Sequence, residues 1–125
     1  HIARAALEGI AFQTMDIVQA MADDAHLTLR EIKVDGGASR NNLMMQFQAD
    51  ILGIPVIRPA TTETTALGAA FLAGLATGYW SGLDELRSLT ESAQRFEPHM
   101  EAEKMQTAIA GWRDALRRTL SNYGR

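Results

Sequence analysis

The chain has 125 residues, of which 46% are hydrophobic and 22% charged, and its formal net charge is −3. This length and balance fit one globular domain, and the small negative charge excludes a basic surface of the kind that binds nucleic acid or an anionic membrane. The absence of cysteine excludes disulfides and thiolate metal sites and fits a reducing, cytoplasmic location. The longest apolar stretch is too short to span a bilayer, so we expect neither nucleic acid nor membrane as a partner.

Helical periodicity begins with the first residues. Apolar side chains recur at helical spacing over residues 2–23, and the stripe is wide enough to predict a largely buried helix. The chain enters this pattern at His1, with no initiator Met and no cap residue before it. We therefore expect residues 1–125 to be the C-terminal portion of a domain whose N-terminal side lies upstream.

A strand followed by a helix is predicted next. Residues 29–34 alternate as a strand does and run into the breaker cluster Asp35-Gly36-Gly37. Ser39 is the predicted N-cap of a helix over residues 40–52, which Gly53 ends in a left-handed conformation.

The remaining elements continue this alternation. A short strand over residues 54–57 precedes a helix over 64–77, whose many Gly and Ala residues predict close packing on a sheet. The final stretch predicts a short helical turn over 81–86, an edge strand or irregular segment over 94–98, and a peripheral amphipathic helix over 101–122. Strands alternating with helices predict an α/β fold with a mostly parallel sheet, too small to stand alone at two strands.

The turn after the first strand is the strongest candidate site. Glycine lets backbone approach a ligand closely, and a helix that starts there aims its free N–H groups at the same place. We therefore expect a small-molecule contact near Gly37, with Asn41 one helical turn later on the same side. The alternative is a tight strand-to-helix turn that binds nothing, because this is neither a GxGxxG fingerprint nor a P-loop.

A second candidate precedes the Gly/Ala-rich helix. The run of threonines around Glu63 predicts a capping box, or else the wall of a ligand cleft whose width the small residues set. His1, His26 and His99 share no metal-binding spacing, and no nucleophilic triad pattern occurs. The sequence therefore predicts no metal site and no catalytic residue within the chain.

Three stretches in order resemble one family. Val34-Asp35-Gly36-Gly37-Ala38-Ser39-Arg40-Asn41-Asn42, with the helix that follows, resembles the adenosine-side motif of the FGGY carbohydrate kinases. The stretches Thr62–Ala70 and Leu72–Trp80 resemble the glycerol kinase branch in particular, and His1–Glu8 is similar to the trailing half of the family's second signature. The resemblance is strong through residue 86 and loose from 87 to 125.

The resemblance implies an actin-like, ribonuclease H-like fold of two domains with ATP or ADP bound between them. By position, Gly37 and Asn41 would contact the adenine nucleotide, Gly36 and Ala38 would shape the same loop, and Asp35 would order the turn. The Mg²⁺ ligands, the glycerol pocket and the catalytic base would all lie upstream of His1.

The function implied is phosphorylation of glycerol to glycerol 3-phosphate by a longer parent enzyme, which we expect to be a homo-oligomer. These 125 residues would supply the adenosine side of the cleft and would be inactive alone. Two alternatives remain open: a related kinase acting on xylulose or gluconate, and a non-catalytic, actin-like nucleotide-binding module.

Overall fold

The computed structural model describes residues 1–89 and 93–120. The described chain forms helices α1 (Ile2–Ala25), α2 (Asn42–Leu52), α3 (Thr64–Ala76), α4 (Leu83–Leu89) and α5 (Ala102–Leu120), and strands β1 (Ile32–Lys33), β2 (Val56–Pro59) and β3 (Ala93–Phe96). A short 3₁₀ turn, Gly37–Arg40, lies between β1 and α2. Within these described ranges, no helix is both long enough and apolar enough to cross a membrane.

The described strands form one sheet in the order β1-β2-β3. β1 and β2 are parallel, with Ile32 opposite Val56, as the strand-helix alternation predicts. β3 pairs with β2 in the antiparallel sense, with Phe96 opposite Val56, so the edge strand is the correct alternative for that segment. The sheet is therefore mixed: the central strand β2 is parallel to β1 on one side and antiparallel to β3 on the other.

β1 is shorter than the predicted strand over 29–34. The Ile32 N–H donates to the Pro55 carbonyl (3.0 Å) and the Val34 N–H to that of Ile57 (2.9 Å). Pro55 has no N–H of its own, so it cannot donate back to the chain before Ile32. The pairing of β1 with β2 consequently starts at Ile32, which lies opposite Val56.

Helix α2 contributes to both buried clusters of the core. On one face, Met44, Met45 and Ala49 pack against Val56 and Phe96 of the sheet. On the other, Ile51 joins Ala11, Phe12 and Met15 of α1 in a second buried cluster. Burying side chains of this size contributes about 1.5–3 kcal/mol each, so α2 is the element that fixes the sheet to α1. The prediction that α1 is largely buried is wrong for this chain, because its opposite face is exposed.

Helix α5 is held against this second cluster. The Trp112 ring stacks on Phe12 with centroids 5.3 Å apart, and its Nε1–H donates to the Asp16 carboxylate (2.8 Å). The Asp50 carboxylate also accepts the backbone N–H of His99 (2.7 Å), just before α5. The helix predicted over 101–122 is thus present as Ala102–Leu120, and its residues 121–122 lie outside the described residues.

Helix α3 does not pack as predicted. None of its side chains is buried in the described chain, and Leu72 is 71% exposed. A close approach occurs at Gly74, where an added Cβ would lie 2.1 Å from the Trp80 ring. Trp80 therefore folds back over the last turn of α3, beside Phe71.

Helix α4 starts two residues later than predicted. The Ser81 backbone N–H and hydroxyl both donate to the Glu85 carboxylate, at 2.7 and 2.8 Å. These two bonds stabilise the charged carboxylate and hold the pKa of Glu85 below its ordinary value. Ser81 thus fixes the start of the helix through hydrogen bonds to a residue within the helix.

Candidate functional site

The turn that leaves β1 has an unusual backbone. Gly36 has φ 79° and ψ 174°, a combination that is essentially restricted to glycine. The chain then makes the 3₁₀ turn over Gly37–Arg40 before α2 begins. The turn therefore depends on Gly36 for its shape.

The predicted helix cap at Ser39 is wrong. Ser39 is buried, and its hydroxyl donates back to the Gly36 carbonyl (2.7 Å), which closes the 3₁₀ turn. The cap is Asn41, whose Oδ1 accepts the Met44 N–H (3.1 Å). The extra turn places the start of α2 two residues beyond the predicted position.

The four predicted site residues share this turn at the carboxyl end of β1. Gly37, Ala38 and Asn41 are exposed, and Gly36 is half-buried. Gly37 has no positive φ, and a Cβ added to it would meet no atom within 4 Å. Nothing in the described chain therefore requires glycine at position 37, unlike position 36.

One of the two polar groups of the Asn41 side chain makes a hydrogen bond within the described residues, and the other does not. Its Oδ1 caps α2, while its Nδ2 amide has no hydrogen-bond partner among residues 1–89 and 93–120. An exposed amide of this kind can donate to the acceptor nitrogens or oxygens of a ligand. The turn thus offers bare backbone at Gly37 and a free donor at Asn41.

The segment before α3 braces this turn instead of forming the predicted capping box. Glu63 occupies the N-cap position of α3 but makes no side-chain cap hydrogen bond. Arg40 donates to the Thr62 hydroxyl (3.0 Å) and the Glu63 carboxylate (3.1 Å), and the Gly36 N–H donates to the Thr62 carbonyl (3.0 Å). The Thr64 hydroxyl donates to the Asp35 carboxylate. Both strand-to-helix loops are therefore tied together.

A cleft of about 850 Å³ lies beside the braced loops. Its lining consists of Arg40, Arg58, Pro59, Ala60, Thr61, Thr62, Glu63, Ala93 and Gln94. None of the four predicted site residues lines it. They adjoin it through Arg40, which belongs to the same turn.

Two arginines near the turn, Arg40 and Arg58, were not predicted to contribute to the site. The motif gave Arg40 no role, and Arg58 lay just beyond the predicted strand over residues 54–57, with no role assigned to it. Arg58 reaches the turn from β2, donating to the Ser39 carbonyl (2.6 Å) and to Asn42 Oδ1 (2.9 Å). Its position just before Pro59, at the end of a strand next to the glycine turn, is the sequence signal that could have indicated it.

The described residues do not offer a metal site. Over 1–89 and 93–120, no three His, Cys, Asp or Glu side chains are grouped so that they could hold a metal ion. A divalent cation used with a nucleotide would need ligands from elsewhere.

Comparison with known proteins gives a consistent family match. Residues 1–77 match the FGGY family of carbohydrate kinases, C-terminal domain. The glycerol kinases of Burkholderia pseudomallei (strain K96243) and Dechloromonas aromatica (strain RCB) are 56% and 58% identical to this chain. The two alignments cover 94% and 96% of the chain. The chain spans only about a quarter of these relatives, 23% and 24% of their lengths.

Solved structures show the same fold. The crystal structure of Plasmodium falciparum glycerol kinase with ADP superposes with a TM-score of 0.80 at 38% identity, over 96% of this chain and 24% of that one. A ligand-bound xylulose kinase from Lactobacillus acidophilus gives a TM-score of 0.78 at 24% identity, over 98% of this chain and 25% of that one. The described chain accordingly has the α/β architecture of the actin-like kinases.

Proposed function

This chain belongs to the FGGY family of carbohydrate kinases, and we propose that it supplies the adenosine-binding side of the cleft in a longer enzyme that phosphorylates glycerol. The reaction would convert ATP and glycerol to ADP and glycerol 3-phosphate. The names of the relatives and the crystal structure containing ADP support this assignment. In this proposal, residues 1–125 are the C-terminal portion of the second kinase domain.

The observation that carries the proposal is the bare backbone at Gly37. Glycine is not needed there for a positive φ or for a close neighbour, so an external ligand accounts for it best. The adenine nucleotide would lie against Gly36, Gly37 and Ala38, and the free Nδ2 amide of Asn41 would donate to it. The chain's own contribution is to orient the nucleotide.

Other groups would complete the reaction. Phosphoryl transfer requires a positioned acceptor, a base and usually Mg²⁺ in one closed cleft. The described residues hold no group of side chains suited to that ion, so its ligands are proposed to lie outside them. The base and the glycerol pocket are placed there as well, and none of the 125 residues is assigned a catalytic role.

Enlarging Gly37 tests the proposed contact. In the full-length enzyme, Gly37→Val should raise the KM for ATP and the Kd for ADP by about tenfold or more, because the side chain would occupy the ligand's space. Gly111→Ala, on α5, is a matched control: a Cβ there also meets nothing within 4 Å. Nucleotide affinities equal to those of the unmutated enzyme in Gly37→Val would contradict the site.

A panel of phosphate acceptors tests the substrate. Coupled assays of ADP release with glycerol, xylulose and gluconate should show glycerol preferred, as the identity to named glycerol kinases suggests. Preference for xylulose or gluconate would instead identify one of the related kinases. Nucleotide binding without turnover of any acceptor would favour the non-catalytic, actin-like module.

The proposal also places the enzyme in the cytoplasm as a homo-oligomer. The absence of cysteine from this chain is compatible with that compartment. Cell fractionation and sedimentation of the full-length enzyme would test these two points.

A further inference from the structure

Arg58 connects three elements around the turn. From the end of β2, its Nη1 donates to the Ser39 carbonyl (2.6 Å), and its Nη2 donates to Asn42 Oδ1 (2.9 Å) and to Gln94 of β3. Its guanidinium carbon lies 5.2 Å from the centroid of the Phe96 ring. One planar group is thus fixed by packing below and by hydrogen bonds at its edge.

Two hydrogen-bond partners of Arg58, Ser39 and Asn42, flank Asn41 in the sequence. Ser39 lies two positions before Asn41, and Asn42 lies one position after it. The Ser39 carbonyl belongs to the 3₁₀ turn, whereas the Asn42 side chain belongs to the first residue of α2. Binding both sets the angle between the turn and the helix, and therefore the direction of the Asn41 amide.

Arg40 does not have the same capacity. It reaches Glu63 across the surface, with side chains 65% and 69% exposed, and such pairs contribute little because solvent screens them. Arg58 is half-buried, and its hydrogen-bond partners are neutral. Its contribution is therefore geometric, because a rigid fork holds several acceptors at fixed positions.

We propose that Arg58 is a positioning residue that holds the Gly37–Asn41 turn in its nucleotide-binding geometry. The inference rests on the proposed function, since it assumes that the nucleotide binds at this turn. Arg58 would act through Ser39 and Asn42 and would not touch the nucleotide. Loss of its fork should weaken ATP and ADP binding without affecting the acceptor.

The test replaces the planar guanidinium group of Arg58 but keeps its positive charge. In the full-length enzyme, Arg58→Lys leaves a cation above Phe96, yet one ammonium cannot reproduce the planar contacts to Ser39 and Asn42. We expect the KM for ATP and the Kd for ADP to rise about tenfold, the size of one effective hydrogen bond, with kcat and the KM for glycerol unchanged.

Arg95→Lys is the matched control. Arg95 lies on the adjacent strand β3 and pairs with Glu97 and Glu31, whose hydrogen bonds raise the pKa of its guanidinium further above its usual value. It makes no contact with the turn among the hydrogen bonds of the described residues. Its replacement should leave both nucleotide constants unchanged.

Asn42→Ala provides a second variant that leaves the core intact, because Asn42 is exposed. It removes one acceptor of Arg58 and should raise the KM for ATP in the same direction. Combined with Arg58→Lys, its effect should be less than additive, because both changes break one contact. If Arg58→Lys fails to fold, Asn42→Ala alone decides the question.

The outcomes separate the inference from its premise. A lower melting temperature with unchanged nucleotide constants in Arg58→Lys and Asn42→Ala would show that Arg58 has only a structural role, and would overturn the inference. If Gly37→Val also leaves nucleotide binding unchanged, the proposed site itself fails. Weakened binding in Gly37→Val alone would refute the positioning role while keeping the site.

Discussion

Two adjacent glycines have different physical roles at the scale of single residues. Gly36 needs its positive φ, whereas Gly37 has neither a positive φ nor a close neighbour. Gly36→Ala should therefore lower the free energy of unfolding of this chain by about 1–3 kcal/mol, the cost of a side chain in that backbone region. Denaturant titration should show a lower midpoint with an unchanged slope.

Gly37→Ala is the control for this comparison. It should change the free energy of unfolding by no more than about 0.5 kcal/mol, because the alanine meets no strain and no neighbour. Equal stability of the two variants would show that the backbone at Gly36 is not strained by a side chain.

Features of the candidate site were predictable only where the signal was local. The glycine pair after an apolar strand marked the turn, because glycine alone permits that backbone. Asn41 was missed as the cap because Ser39 is equally suited to capping and is diverted to the Gly36 carbonyl. Arg58 was missed because its partners lie 16, 19 and 36 residues away, beyond any local pattern.

At the scale of elements, the end of α3 depends on a close approach. A Cβ on Gly74 would lie 2.1 Å from Cε3 of Trp80, so Gly74→Ala should displace the ring from the helix and from Phe71. In this chain, ¹⁹F NMR of fluorotryptophan should show the Trp80 resonance shift while that of Trp112, on α5, stays in place.

Gly68→Ala is the matched control on the same helix. It meets no atom within 4 Å and should stabilise α3 by about 0.5–1 kcal/mol through helix propensity, without moving Trp80. An unmoved Trp80 resonance in Gly74→Ala would contradict the packing described above.

Element boundaries followed the sequence where the pattern was periodic. α1 and α3 end within two residues of their predicted limits, because apolar spacing and local breakers define a helix. The length of β1 was overestimated because it depends on Pro55, the residue before β2, which has no N–H to donate. The packing of α3 could not be inferred, because small residues permit a close contact without specifying its partner.

At the scale of the whole molecule, the chain exposes more surface than its mass requires. Its accessible area is 9079 Å², whereas a compact monomer of 13.7 kDa exposes about 6,600 Å². Part of the excess is apolar and is spread over several elements: Ile17 and Met21 of α1 are 60% and 65% exposed, Leu72 of α3 is 71% exposed, and Leu83 of α4 is 64% exposed. These side chains suit burial against further parts of the proposed longer enzyme.

This surface leads to a prediction for the isolated 125 residues. They should bind a hydrophobic dye such as ANS through their exposed apolar side chains. They should also produce no glycerol-dependent ADP, because the role proposed for the turn, orienting a nucleotide, supplies neither a base nor an acceptor pocket. The full-length enzyme, assayed in parallel, should be active, since closing the cleft needs both domains. It should also bind less dye per residue, because its further parts would cover these apolar side chains. Glycerol phosphorylation by the isolated chain would mean that the catalytic groups lie within it, and the division of labour proposed for the enzyme would be wrong.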